Sequence, residues 1–112
     1  MKRGEVWRVS IPLAAGHAQS GERPAFLIQD EQFTVSLPTV LIVPLTSTLT
    51  ASRFAGTLLI SPDGSNGLTV PSVALVFQLR VLDKRACLYR LGTLSSQLLD
   101  QIFAMLDRLT GR

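Results

Sequence analysis

Punctuation constrains this chain most. Up to Leu94 every apolar run is short and is ended by proline, glycine or small polar residues. A helical period sets in only after Ser95. Val6-Trp7-Arg8-Val9-Ser10-Ile11 alternates apolar and polar residues as a half-buried strand does, and Pro12 ends it. The segment from Leu13 to Glu22 carries Gly16 and Gly21 and has no period, so it reads as an exposed loop of the length often used for function. Pro24 to Gln29 reads as a second, well-buried strand. Asp30 to Thr39 reads as a polar connection, and Val40-Leu41-Ile42-Val43 as a β-branched strand closed by Pro44. A hydroxyl-rich loop, Thr46 to Thr50, follows. Thr57 to Ile60 is a short strand, and Pro62-Asp63-Gly64-Ser65-Asn66-Gly67 is dense in turn formers. Val73 to Leu82 reads as the longest strand, emerging from the core along Ala74, Val76, Gln78 and Arg80, and Leu88 to Leu94 as the last one.

Ser95 is then a good N-cap for a helix. Leu98, Leu99, Ile102, Phe103, Leu106 and Leu109 recur at three- and four-residue spacings, and Gly111 stops the run. Short strands, turns and one terminal amphipathic helix imply a mainly β chain: a small barrel or strongly bent sheet with a helix on one side. The 112 residues form one domain, 1–112, on the usual length prior. A domain of this size buries roughly 60–68% of its unfolded surface. Hydrophobic residues make up 46% and charged residues only 17%, an apolar excess that points to an interface between copies, most simply a homodimer.

The net charge of +3 is too mild to identify a polyanion partner, but nine of the eleven cations are arginine. Guanidinium binds phosphate as a planar fork and stays charged when partly buried. A single cysteine, Cys87, and a single histidine, His17, exclude an internal disulfide, a cysteine-built zinc site and a histidine acid–base pair. P-loop and His-Glu-x-x-His patterns are absent, so no metal or cofactor is expected. A Cys87–His17 dyad is disfavoured by the apolar neighbours Ala86 and Leu88. Met1-Lys2-Arg3 runs straight into Gly4-Glu5 without the look of a signal peptide, and Val40 to Leu45 is too short to span a membrane; the chain reads as cytoplasmic.

Chemistry, if present, falls to arginine and hydroxyl groups. Arg23 lies where the long loop meets a buried strand and is followed by Pro24; Thr46 lies just past the end of another strand. Groups anchored on strand ends are held rigidly, as a site requires. The same spacing fits an Arg23–Glu22 edge pair and a plain turn threonine, and spacing alone favours that plainer account.

Five motifs stand in order: Arg3-Gly4-Glu5-Val6-Trp7, Gly21-x-Arg23-Pro24, Val43-Pro44-Leu45-Thr46-Ser47, Gln78-Leu79-Arg80-Val81-Leu82-Asp83-Lys84 and Gly92-x-Leu94-Ser95. Together, over residues 3 to 109, they resemble the MazF/PemK family of toxin ribonucleases. That resemblance implies an SH3-like small β-barrel with a C-terminal α-helix and a homodimer. It implies metal-independent cleavage of single-stranded RNA at short sequence motifs, and a cognate antitoxin whose flexible acidic tail occupies the RNA groove. Neither a membrane nor directly bound DNA is implied as a partner. By the same resemblance Arg23 and Thr46 are the catalytic pair, Gln78 lines the RNA surface, and Ser47, Gly16, His17 and Gln19 contact RNA or antitoxin. Arg53 and Arg80 are added as phosphate holders. The chain departs from the family pattern at Ala18, at Phe77 and at Glu22, where many relatives carry a basic or neutral residue. Two alternatives share the fold: a relative that binds RNA or antitoxin without cutting, and a CcdB-like gyrase poison.

Overall fold

The computed structural model describes residues 1–12 and 21–112. Among these residues seven strands and two α-helices follow one another: β1 (Glu5–Ile11), β2 (Gly21–Leu27), α1 (Glu31–Ser36), β3 (Thr39–Thr46), β4 (Thr57–Ile60), β5 (Ser72–Leu75), β6 (Arg80–Asp83), β7 (Cys87–Thr93) and α2 (Ser96–Thr110). All pairings are antiparallel, in the order β4-β5-β3-β2-β1-β7, with β6 also on β3. The barrel-like sheet with its C-terminal helix is the architecture expected from the sequence.

β3 is the hub. Its first half pairs with β6, through Val40↔Leu82 and Ile42↔Arg80, and its second half with β5, through Leu45↔Ala74 and Thr46↔Val73. Both of its faces are covered. Val40 and Ile42 pack with Val9, Ile11, Ala25, Leu27, Leu82 and Cys87. Val43 and Leu45 pack with Val6, Phe26, Ile60, Ala74, Val76 and Ile102, under the apolar stripe of α2. This double burial explains why β3 reads as a continuous apolar run rather than an alternating one.

Four expectations need correction. Val73 to Leu82 is not one strand: a 3-10 turn at Val76–Gln78 separates β5 from β6. The break lets one stretch of chain pair with both halves of the bent β3, which a straight strand cannot do. Asp30 to Thr39, read as a polar connection, contains the helix α1 and ends on the first residue of β3. Asp30 caps that helix by accepting the Gln32 N–H at 2.9 Å. The buried Gln29 amide donates to Thr34 Oγ1 at 3.0 Å, and Lys84 Nζ reaches the Thr34 carbonyl at 2.6 Å. β2 ends at Leu27 rather than Gln29, and it begins at Gly21, inside the expected loop. Gly21 and Glu22 are solvent-exposed and pair only through backbone with Ile11 and Ser10, so apolar patterning does not mark them. Consequently Arg23 lies within a strand, opposite Val9, rather than at a loop junction.

The terminal helix is as expected. Ser95 Oγ accepts the Leu98 N–H at 3.2 Å, and Gly111 ends the helix in the left-handed conformation. No helix among the described residues is long and apolar enough to cross a membrane.

Candidate active-site cleft

The register of the central strands sets the geometry of the site. β2 and β3 pair through Ala25↔Pro44, Phe26↔Val43 and Leu27↔Ile42. Extending that register by two residues brings Arg23 opposite Thr46, 23 positions away in sequence. Both line a cleft of about 480 Å³, together with Arg8, Glu22, Pro24, Ser47, Thr48, Tyr89, Leu91 and the segment 67–70.

In a regular ladder Arg8 and Arg23 would face opposite sides of the sheet, because Arg8 pairs with Pro24 and Arg23 with Val9. The β1–β7 pairing shifts register between Arg8 and Val9. Such a bulge interrupts alternation and re-aims a side chain. Both arginines line the cleft, with Tyr89 of β7 directly opposite Arg8.

The far wall is a rigid turn. Asp63 Oδ1 accepts the Ser65 and Asn66 N–H groups at 2.7 and 2.8 Å. The fully buried Asn66 accepts the Leu68 N–H at 3.0 Å through Oδ1 and donates to the Ser61 carbonyl at 2.9 Å. Gly67 has φ +72° and lies so close to the Leu91 backbone that a Cβ there would overlap the Leu91 carbonyl. The turn chemistry of residues 62–67 thus serves to press one cleft wall against β7.

Arg23 is partly buried. Its pKa is lowered from the ordinary arginine value, first by burial and then by the nearby Arg8 charge. It nevertheless remains a cation at neutral pH. Thr46 is only 8% exposed. Its Oγ1 accepts the Thr48 N–H at 3.2 Å, which orients the hydroxyl and leaves its proton to donate elsewhere. Thr46 is the last residue of β3, paired with Val73, rather than a residue past a strand's end, and it is a turn residue and a cleft residue at once. Glu22 does not form the edge pair with Arg23 considered above; its carboxylate lies 3.8 Å from Arg8 Nε.

Ser47 is exposed at the cleft beside Thr46. Arg53, Gln78 and Arg80 do not line it. Arg53 ends the 3-10 turn Leu49–Arg53 and stacks over Phe54 at 5.0 Å. Gln78 ends the turn between β5 and β6, and Arg80 opens β6 opposite Ile42. Gly16, His17 and Gln19 lie outside the described residues, as does Ala18. Cys87 is buried, and its thiol pKa is raised by burial and by Asp83, which suits packing rather than nucleophilic attack. Among the described residues no three His, Cys, Asp or Glu side chains gather to hold a metal ion. Sequence reasoning missed Arg8 and Tyr89 as cleft residues. Arg8 reads as an ordinary polar position of an alternating strand, and only the pairing of β1 with β7 reveals the other role.

Comparison with known proteins agrees with this architecture. A family model described as PemK-like, MazF-like toxin of type II toxin-antitoxin system matches residues 2–110. Endoribonuclease PemK of Escherichia coli is 36% identical over 86 residues, which are 77% of this chain and 63% of that protein, so the match spans less than two thirds of that relative. Endoribonuclease MazF of Staphylococcus saprophyticus is 27% identical over 107 residues, 96% of this chain and 88% of that one. The crystal structure of MazF from Deinococcus radiodurans superposes with a TM-score of 0.83 at 24% identity, covering 100% of this chain and 97% of that chain. An endoribonuclease from a mycobacterial species, solved in complex with its cognate antitoxin, gives 0.76 at 20% identity over 99% and 95%. From β1 to α2, this chain belongs to the PemK-like, MazF-like toxin family of type II toxin-antitoxin systems.

Proposed function

We propose that the protein is a toxin endoribonuclease that cleaves single-stranded RNA in the Arg23–Thr46 cleft. The observation that carries the reading is the convergence, in one cleft of a PemK-like chain, of a partly buried arginine and a buried, oriented threonine hydroxyl.

RNA carries its own nucleophile. The 2′-hydroxyl attacks the adjacent phosphorus; the 2′-O–P bond forms and the P–O5′ bond breaks. The 2′-hydroxyl loses a proton and the leaving 5′ oxygen gains one, so water and redox partners are not consumed. The products end in a 2′,3′-cyclic phosphate and a 5′-hydroxyl. In the transition state negative charge accumulates on the phosphoryl oxygens, and preorganised positive charge opposes that build-up most effectively where water is partly excluded. Arg23 supplies the charge. Guanidinium is a poor base, and the lowered pKa of Arg23 moves it toward donating a proton to the leaving oxygen rather than accepting one. The Thr46 hydroxyl donates to a phosphoryl oxygen from a fixed direction.

Unpaired RNA fits because its bases can splay outward for edge contacts and stacking. Ser47 lies beside the reacting groups, while Gln78, Arg53 and Arg80, with Gly16, His17 and Gln19, serve the flanking RNA surface. A cognate antitoxin with a flexible acidic tail neutralises the cleft by charge complementarity, and the working form is a homodimer. PemK of E. coli and MazF of S. saprophyticus, which this chain resembles, are named endoribonucleases.

The test gives the purified protein a mixed-sequence single-stranded RNA and the matching all-2′-deoxy strand, both in EDTA. RNA fragments with 5′-hydroxyl and 2′,3′-cyclic phosphate ends, beside an intact deoxy strand, are expected. Equal cutting of both strands would contradict the mechanism.

A further inference from the structure

The cleft contains a second arginine that the reaction described above does not use. Arg8 and Arg23 both line it, and the Arg8 charge is felt at Arg23. Two guanidinium groups in one cleft repel, and an anion that touches both relieves the repulsion. Among the described residues the anion partner of Arg8 is Glu22, across 3.8 Å, with the two side chains 34% and 60% exposed. A pair so open to water and so long stabilises the fold little. It is therefore easily exchanged for another anion. Tyr89, opposite Arg8 on β7 and 56% exposed, lines the same cleft with its aromatic side chain.

We propose that Arg8 is a second phosphate-binding residue of the cleft and that Glu22 is its built-in counter-ion, which a backbone phosphate of the RNA displaces on binding. This assignment rests on the RNA reading of the cleft and extends it. Arg23 faces the phosphate that reacts; Arg8 takes a neighbouring one, with Tyr89 placed to stack on an unpaired base next to it. Phosphate competes well for Arg8, because it meets the guanidinium fork with paired oxygens whereas Glu22 reaches Nε from 3.8 Å. Glu22 sets the threshold: it holds the cleft's local charge down when empty and lowers affinity for anions too weak to displace it.

The proposal is tested by binding of a labelled, non-cleavable 2′-O-methyl RNA of mixed sequence, followed by fluorescence anisotropy at several salt concentrations. Arg8→Gln should weaken binding several-fold and flatten the slope of log affinity against log salt by about 0.7, one phosphate contact on a single strand. Arg8→Lys should keep that slope while losing part of the affinity. Glu22→Gln should tighten binding several-fold, and this gain should vanish in the Arg8→Gln background. An Arg8→Gln protein of unchanged affinity and slope overturns the proposal. So does a Glu22→Gln gain that persists in full without Arg8, since Glu22 would then act as general negative charge. Both side chains are at least one-third exposed, and thermal melting of each variant confirms folding. Cleavage by the unsubstituted protein is read separately: its failure bears on the ribonuclease reading, whereas the binding cycle decides Arg8.

Discussion

In the proposed site Thr46 serves structure and chemistry together. Its oxygen accepts the Thr48 N–H, turning the chain out of β3, and the remaining proton is aimed by that contact. Thr46→Val keeps the shape and removes both hydrogen bonds. It is expected to lower kcat by about 10²–10³-fold, the usual loss for one donor to a developing oxyanion. Thr46→Ser should recover most of it, as steady-state cleavage assays would show. Glu5 makes a different kind of prediction. Burial raises its pKa, but the Lys2 N–H and the Trp7 indole (each 3.0 Å away), the Met1 ammonium and Arg90 outweigh burial and leave it below the ordinary value. A depressed folded-state pKa contributes stability above the unfolded value and loses it as pH falls through the folded one. The Tm advantage over Glu5→Gln should therefore be full at neutral pH and shrink once the pH drops below the ordinary glutamate range. Arg23 and Thr46 stand out in the sequence only through a resemblance; their residue types and spacing alone favour a turn threonine and an edge pair. Arg8 was not legible, since its role depends on a bulge and a partner strand about eighty residues away.

At the scale of elements, what could be read in advance was whatever depends on local pattern. β1, β4 and α2 lie where alternation, β-branching and helical period put them, within a residue or two, whereas β3 runs past the expected stop at Pro44, to Thr46. α1 was hidden because its face is weakly buried: Phe33 and Val35 stay exposed, and the Asp30 cap, the Gln29 amide and one long-range hydrogen bond from Lys84 hold it. The break between β5 and β6 was hidden because it answers to the bend of β3 and not to any proline or glycine of its own. The turn at residues 62–67 was legible as a turn but not as a cleft wall. Its function gives a paired prediction. Gly21 and Gly67 both have positive φ, so alanine at either carries a backbone cost of about 1–2 kcal/mol. At Gly67 the new Cβ also overlaps the Leu91 carbonyl, whereas nothing described approaches Gly21 within 4 Å. Denaturant unfolding should find Gly67→Ala clearly the more destabilised, with RNA cleavage reduced as the wall lifts from β7. Ser95→Ala, by contrast, should cost about 1 kcal/mol through loss of the α2 cap and leave the cleft intact.

For the whole molecule, the bent sheet separates two apolar clusters and closes its second one with α2, leaving the cleft at the ends of β2 and β3. The apolar excess read from composition is partly accounted for by this doubly covered sheet. Part of it remains on the surface, at Phe33, Val35, Leu59, Val81 and Leu88 among others. Sedimentation velocity is expected to find a homodimer, twice the 12.2 kDa chain, and a monomer at micromolar concentration would contradict the dimer reading. The central claim is chemical, that the cleft joining Arg23 to Thr46 cuts RNA. Its most direct test is the cleavage rate of a mixed-sequence single-stranded RNA by the unsubstituted protein and by Arg23→Ala, in EDTA, with matched thermal melts. Discrete fragments that disappear in a well-folded Arg23→Ala protein are the predicted result; fragments formed at an undiminished rate without the Arg23 guanidinium would contradict it.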